Sequence, residues 1–240
     1  MSYIAPDVQI DFLAPQGDSP QMHNPTTNGQ SGQKYPLSDL PEPTLLRVDK
    51  SPPPPPPDDA ACFALWDKYA MLPNVRTHSL MVAHIATNLA RRAQAVGIAV
   101  NMPQIRAAAL LHDIAKSYCV RHGGSHAQLG ASWTITETRN YILAQTVMLH
   151  VHWPWQIPEG TGLCTLPFFI IYADKRVRHD SCVTLDERYE DLLTRYGRNA
   201  AAKDGIRASL EQGKDIERAL STLLGDALHE NSFDCWRMVH

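Results

Sequence analysis

No stretch of this 240-residue chain reaches the roughly 18 uninterrupted apolar residues that a membrane-spanning helix needs. The N-terminal residues Met1 to Asp7 lack the basic start and continuous apolar core of a secretory signal. The expectation is therefore a soluble, cytoplasmic protein without membrane association. Positive charge is not in excess either: 22 Lys and Arg stand against 25 Asp and Glu, a net charge of −3. A whole-chain basic footprint for nucleic acid is thus missing, although a local basic pocket would be hidden in that sum, so a nucleic-acid substrate stays open. Cysteine is sparse and unpaired in pattern. Cys62, Cys119, Cys164, Cys182 and Cys235 are odd in number and form no CxxC, which argues against a disulfide scaffold or a cysteine-based zinc site and for a reducing compartment. No β-alternating segment of convincing length occurs, so the fold class expected is all-α.

Residues 1–58 differ in kind from the rest. They are rich in Pro, Gln, Asn, Ser and Gly and end in the unbroken run Pro52 to Pro57. Such a segment buries too little apolar surface to offset its ordering entropy, so it reads as a disordered Pro-rich tail whose proline run is a stiff, passive spacer. The apolar patches Val8 to Leu13 and Leu45-Leu46, or the prolines themselves, leave room for a protein partner. Residues 59–226 are expected to form one helical domain, and residues 227–240 a C-terminal tail of uncertain order. Asp58 or Asp59 can cap a helix over 60–71, which Pro73 should close. A second helix is expected over about 75–96. A third, capped by Asn101 with Pro103 in its first turn, ends at His112 and Asp113. After Gly123 and Gly124, Ser125 can cap a helix carrying His126. Another follows over about 140–152, then a loop rich in Pro and Gly, a buried helix over 166–178, and two amphipathic helices over about 185–196 and 199–224.

The stretch Ala107 to Lys116 concentrates the chemistry. An apolar run that a helix would bury ends in an imidazole and a carboxylate, His112 and Asp113, and burying these without partners would be costly. His78, His126, His150 and Asp174 each stand in similar apolar surroundings. Taken singly, each could be a satisfied buried polar residue. Together they strain that explanation, because a helical core seldom gathers so many imidazoles and carboxylates without a charge to bind. Mixed His and carboxylate ligands without thiolate suit one or two divalent ions, Fe, Mn, Co, Ni, Zn or Mg.

The order and local wording of these segments resemble the HD superfamily of metal-dependent phosphohydrolases, whose pattern is a histidine, then His-Asp, then a distant aspartate on helices of a bundle. Arg76-Thr77-His78-Ser79 matches the first segment, Leu111-His112-Asp113 through Lys116 the second, and Tyr172-Ala173-Asp174-Lys175 the last. His126 and His150 occupy the places of the two extra histidines in members that hold two metals. The wording from His126 to Gly130, with the later Ala173-Asp174-Lys175, is similar to bacterial HD enzymes that cleave diadenosine tetraphosphate symmetrically. The residues after Asp174 depart from that pattern, so the substrate does not carry over. His152 is the alternative to His150.

The resemblance implies an HD-domain-like helical bundle that hydrolyses a phosphoester or phosphoanhydride of a nucleotide or small phosphorylated compound. Its ligands would be His78, His112, Asp113 and Asp174 for one ion and Asp113, His126 and His150 for the other, with a metal-activated hydroxide as nucleophile. Asp113 and Lys116 are the expected catalytic residues, with Lys116, then Lys175 or Arg178, binding the phosphoryl oxygens. For Lys116 a helix C-terminal charge is an equally good explanation. Arg176, Arg178 and Arg188 read as a solvated helix face, His84 as a packing residue and His122 as a loop residue. A nucleotide-sensing module that binds at the same site without turnover is the alternative function.

Overall fold

Nine α-helices run through the described residues, which in this computed structural model are 51–229 and Phe233. The chain divides into two units. The one that includes Pro53–His240 carries every element described here; the other, Pro15–Pro52, falls outside the described residues except for Ser51 and Pro52. The apolar patches of the N-terminal tail and most of residues 227–240 also lie outside them.

Helix α1 (Asp59–Lys68) starts where Asp58 accepts a hydrogen bond from the Ala61 N–H, and it turns sharply at Ala70, whose φ is +48°. Pro73 does not close this helix. It opens α2 (Pro73–Ala95), since proline lacks only a donor that a first helical turn would leave unused. Helix α3 (Met102–Leu111) is capped by the Asn101 side chain, as its sequence suggests. Four turn residues then separate it from a helix that the sequence did not signal, α4 (Lys116–His122). Ser125 caps α5 (His126–Thr138) and Asn140 caps α6 (Tyr141–Leu149). After a loop with one 3-10 turn over Gly160–Cys164 come α7 (Leu166–Lys175), α8 (Leu185–Tyr196) and α9 (Ala200–Leu224). The expected end of α7 at Arg178 is replaced by a two-residue antiparallel hairpin, β1 (Val177–Arg178) with β2 (Ser181–Cys182).

Helix α2 packs against α3 and α7, and α5 packs against α6. Ile85, Leu89, Ile105, Leu110, Phe168 and Phe169 fill the space between the first three. Each such side chain, fully buried, contributes about 1.5–3 kcal/mol of hydrophobic stabilisation. Trp66 ties α1 to the end of α3 by donating from Nε1 to the Leu110 carbonyl at 2.9 Å. The proline run is not a passive spacer throughout: Asn140 Nδ2 donates to the Pro54 carbonyl at 2.8 Å, and Cys62 lies against Pro57. Arg176, expected on a solvated face, is fully buried. It donates to the carbonyls of Val183 and Leu228 and to the Tyr172 hydroxyl, and its guanidinium lies over Phe233.

Candidate metal centre

Six side chains from five places in the fold meet at one point. His78 comes from the second turn of α2, His112 and Asp113 from the turn between α3 and α4, His126 from the start of α5, His150 from the end of α6 and Asp174 from the last turn of α7. His112 and His150 arrive in the same way. Each follows the last residue of an apolar helix with backbone angles still helical, and each donates from Nδ1 to the carbonyl three residues back, Ala109 or Val147, at 2.7 Å. A carbonyl can only accept, so Nδ1 carries the proton and Nε2 is left to face the cluster.

The two oxygens of Asp113 serve different neighbours. On the Oδ2 side lie His112 Nε2 at 3.4 Å and His78 Nε2 at 3.7 Å, and Asp174 Oδ1 completes this group at 2.9 Å from His78 and 3.7 Å from His112. On the Oδ1 side lie His126 Nε2 at 3.4 Å and His150 Nε2 at 3.7 Å, themselves 3.3 Å apart. His78, His112 and Asp174 form one set whose ligand atoms are close enough to share an ion, and His112, Asp113 and His150 form another. The donor set fits a divalent ion. His112 Nε2 and Asp113 Oδ1 are buried without a hydrogen-bond partner among the described residues, a costly arrangement that a cation would relieve.

Electrostatics point the same way. Burial presses His112 to lose its proton, but Asp113 and Asp174 outweigh it and raise the imidazole to about 10. Burial dominates at His78 and His126, lowering the first and taking the second to about 3. Both carboxylates lie well below their ordinary range although burial opposes this; the Lys116 ammonium and His112 hold Asp113 down, and bonds from His112 and His78 hold Asp174. Two fixed negative charges thus draw positive charge into the cluster, a demand that a divalent cation meets.

Lys116 is the first residue of α4, not the last of α3, so a favourable helix C-terminal charge does not explain it. Its Nζ donates to Asp113 Oδ2 at 2.7 Å. Lys175 turns elsewhere: it is buried, and its ammonium donates to the Val151 carbonyl at 3.0 Å. Arg178 lies half-buried on β1, opposite Ser181. His152 is exposed where His150 is buried. His84 is half-buried beside Asn88, as a packing residue would be, and His122 closes α4 against Tyr118 instead of lying in a loop. Sequence reasoning missed Arg188, assigned to a solvated face. It is half-buried on α8, 3.5 Å from Asp191, and its charge bears on Lys116. Residue type and spacing on α8 gave no signal for that, because its neighbour lies 72 positions back along the chain.

No helix of the described residues is long and apolar enough to cross a membrane. No curated protein and no solved structure matches the chain. The family model of the HD domain matches residues 75–196, just over half the sequence, and this span begins three residues before His78 and includes all six clustered side chains. With histidine, His-Asp and distant aspartate brought together on one helical scaffold, the chain belongs to the HD domain family, a superfamily of metal-dependent phosphohydrolases.

Proposed function

We propose that residues 59–226 form a phosphohydrolase domain holding two divalent ions and acting on a nucleotide or another small phosphorylated compound, with residues 1–58 and 227–240 as appended tails. The observation that carries this reading is the division of labour at Asp113, whose two oxygens face separate imidazole groups at 3.4–3.7 Å. His78, His112, Asp113 and Asp174 would hold one ion, and Asp113, His126 and His150 the other. Iron and manganese head the candidates, since both accept mixed imidazole and carboxylate ligands. When bound, such ions polarise phosphoryl oxygens and lower the pKa of water to near neutrality.

The chain's own groups supply the rest. His112, Asp113 and His150 are almost wholly buried, whereas Asp174, His126 and Lys116 keep 19–26 % of their side-chain surface open. Substrate therefore approaches from the side of those three. Lys116 presents a cation there, kept charged because Asp113 outweighs its burial. Its role is to neutralise charge on the phosphoryl oxygens, with Arg188 behind it as a second source of positive potential. Lys175 and Arg178 have weaker claims on substrate, the first because its ammonium is engaged at Val151. The wording around His126 and Gly130 makes dinucleoside polyphosphates reasonable early substrates to try.

Purified protein should contain transition metal and hydrolyse members of a panel of nucleotides, phosphomonoesters and phosphodiesters. Asp113→Ala should abolish both metal retention and hydrolysis. Hydrolysis that survives Asp113→Ala would sink this function, and tight nucleotide binding with no turnover would favour the sensing module instead.

A further inference from the structure

Of the three residues that follow His150, Val151 and Trp153 are gripped on their backbone by two side chains from distant elements. Lys175, the last residue of α7 and 5 % exposed, donates from Nζ to the Val151 carbonyl at 3.0 Å. Gln212, midway along α9, takes the N–H of Trp153 on its Oε1 at 3.1 Å and donates from its Nε2 to the Trp153 carbonyl at 2.7 Å. An amide that bonds both polar groups of one residue fixes the orientation of that residue's backbone as well as its distance. The lysine stem runs against Gly213, where a Cβ would lie 3.3 Å from Lys175 Cδ, so the helix that supplies Gln212 also packs on the lysine that makes the other grip.

This grip matters because of where His150 stands. It caps the C-terminal end of α6, tied to its own helix through Nδ1 and Val147, and the chain then enters a loop containing Pro154, Pro158, Gly160 and Gly162. The last carbonyls of a helix have no partners within it, and such ends fray unless something outside holds them. A buried ammonium at that end satisfies a carbonyl and opposes the negative end of the helix dipole.

We propose that Gln212 and Lys175 are positioning residues for His150, clamping the backbone of residues 151–153 so that the imidazole keeps its place beside Asp113 Oδ1. Gln212 lies on α9, beyond the residues 75–196 that match the family model, so the support for the second cation position reaches outside the matched span. The inference rests on the two-ion reading above.

The test is stepwise Mn²⁺ binding to the full-length protein, followed by competition with a chelator, in wild type, Gln212→Leu, Lys175→Met and Lys175→Arg. Wild type should bind two ions. The Leu and Met variants should keep the first affinity within about twofold and lose roughly tenfold or more at the second, the usual scale for groups that orient a ligand. Lys175→Arg, which still offers a cation to the carbonyl, should recover most of the loss. Unchanged second-ion affinity in folded Gln212→Leu, or equal weakening of both ions, overturns the proposal. If Lys175→Met does not fold, Gln212→Leu decides. Wild type binding a single ion overturns the two-ion reading itself, and that outcome is visible before any substitution is made.

Discussion

Asp113 shows what can be read from residue types and what cannot. A carboxylate at the end of an apolar helix, beside an imidazole, announces a buried charge in need of partners; that the two oxygens divide between two imidazole pairs depends on helices up to 37 positions away, which only the fold brings in. Spacing left His152 as the alternative to His150; in the fold His150 is buried within the cluster and His152 is exposed. Arg176 was misread because its partners, Val183, Tyr172 and Leu228, include one 52 residues further on. The buried histidines also set a pH profile for metal-free protein. His112, raised to about 10 in the fold against an ordinary 6.5, contributes stability that is full below 6.5 and lost as pH climbs toward 10. His126, lowered to about 3, contributes stability that is full above 6.5 and lost as pH falls toward 3. Metal-free protein should therefore have its highest Tm near pH 6.5, and His126→Gln should make the acid limb shallower without removing it, because burial lowers His78 as well, and should leave the alkaline limb unchanged, as thermal melts across pH 4–9 would reveal. Metal uptake at neutral pH should also release a proton from His112, measurable as a buffer-dependent binding enthalpy.

The helix pattern was legible wherever a capping residue stood before an apolar period, as at Asp58, Asn101, Ser125 and Asn140. It failed at Pro73, which can end one helix or begin the next, and at α4, a seven-residue helix too short to display a period. Two elements invite direct tests. Gly130 lies where α5 crosses α6, and a Cβ there would come within 3.0 Å of Val147 Cγ1. With Gly130→Ala the Val147 side chain, or the helix that carries it, must give by a few tenths of an ångström, and these two helices carry His126 and His150. The substitution should cost about 1–3 kcal/mol in denaturant melts, in the range of overpacked cores, and, on the two-ion reading proposed above, weaken the ion assigned to His126 and His150 more than the other. Asn140 caps α6 through Ile142 and Leu143 and also holds the Pro54 carbonyl. Asn140→Ala should cost about 1–2 kcal/mol in denaturant melts, the upper part of the range for a lost cap, because the Pro54 carbonyl loses its partner as well.

At the scale of the whole molecule, the all-α class followed from missing alternation and the helical periods, while the arrangement that closes the cluster did not, because side-chain convergence from five elements leaves no mark on any one of them. That convergence has a kinetic meaning. His78 and Asp174, bonded at 2.9 Å, are 96 residues apart in sequence, and a pairing so distant must wait until most of the intervening chain has condensed. The expectation is that the cluster arrives late in folding, as a latch and not a nucleus. An ion that binds only the finished cluster should slow unfolding and leave the refolding rate nearly unchanged, a split that stopped-flow chevrons with and without Mn²⁺ would resolve. A refolding rate that rises with metal would place the cluster in the nucleus instead. As a latch, the ions would govern how long the native bundle lasts, and a cell that withdrew metal from this protein would shorten its life along with its activity.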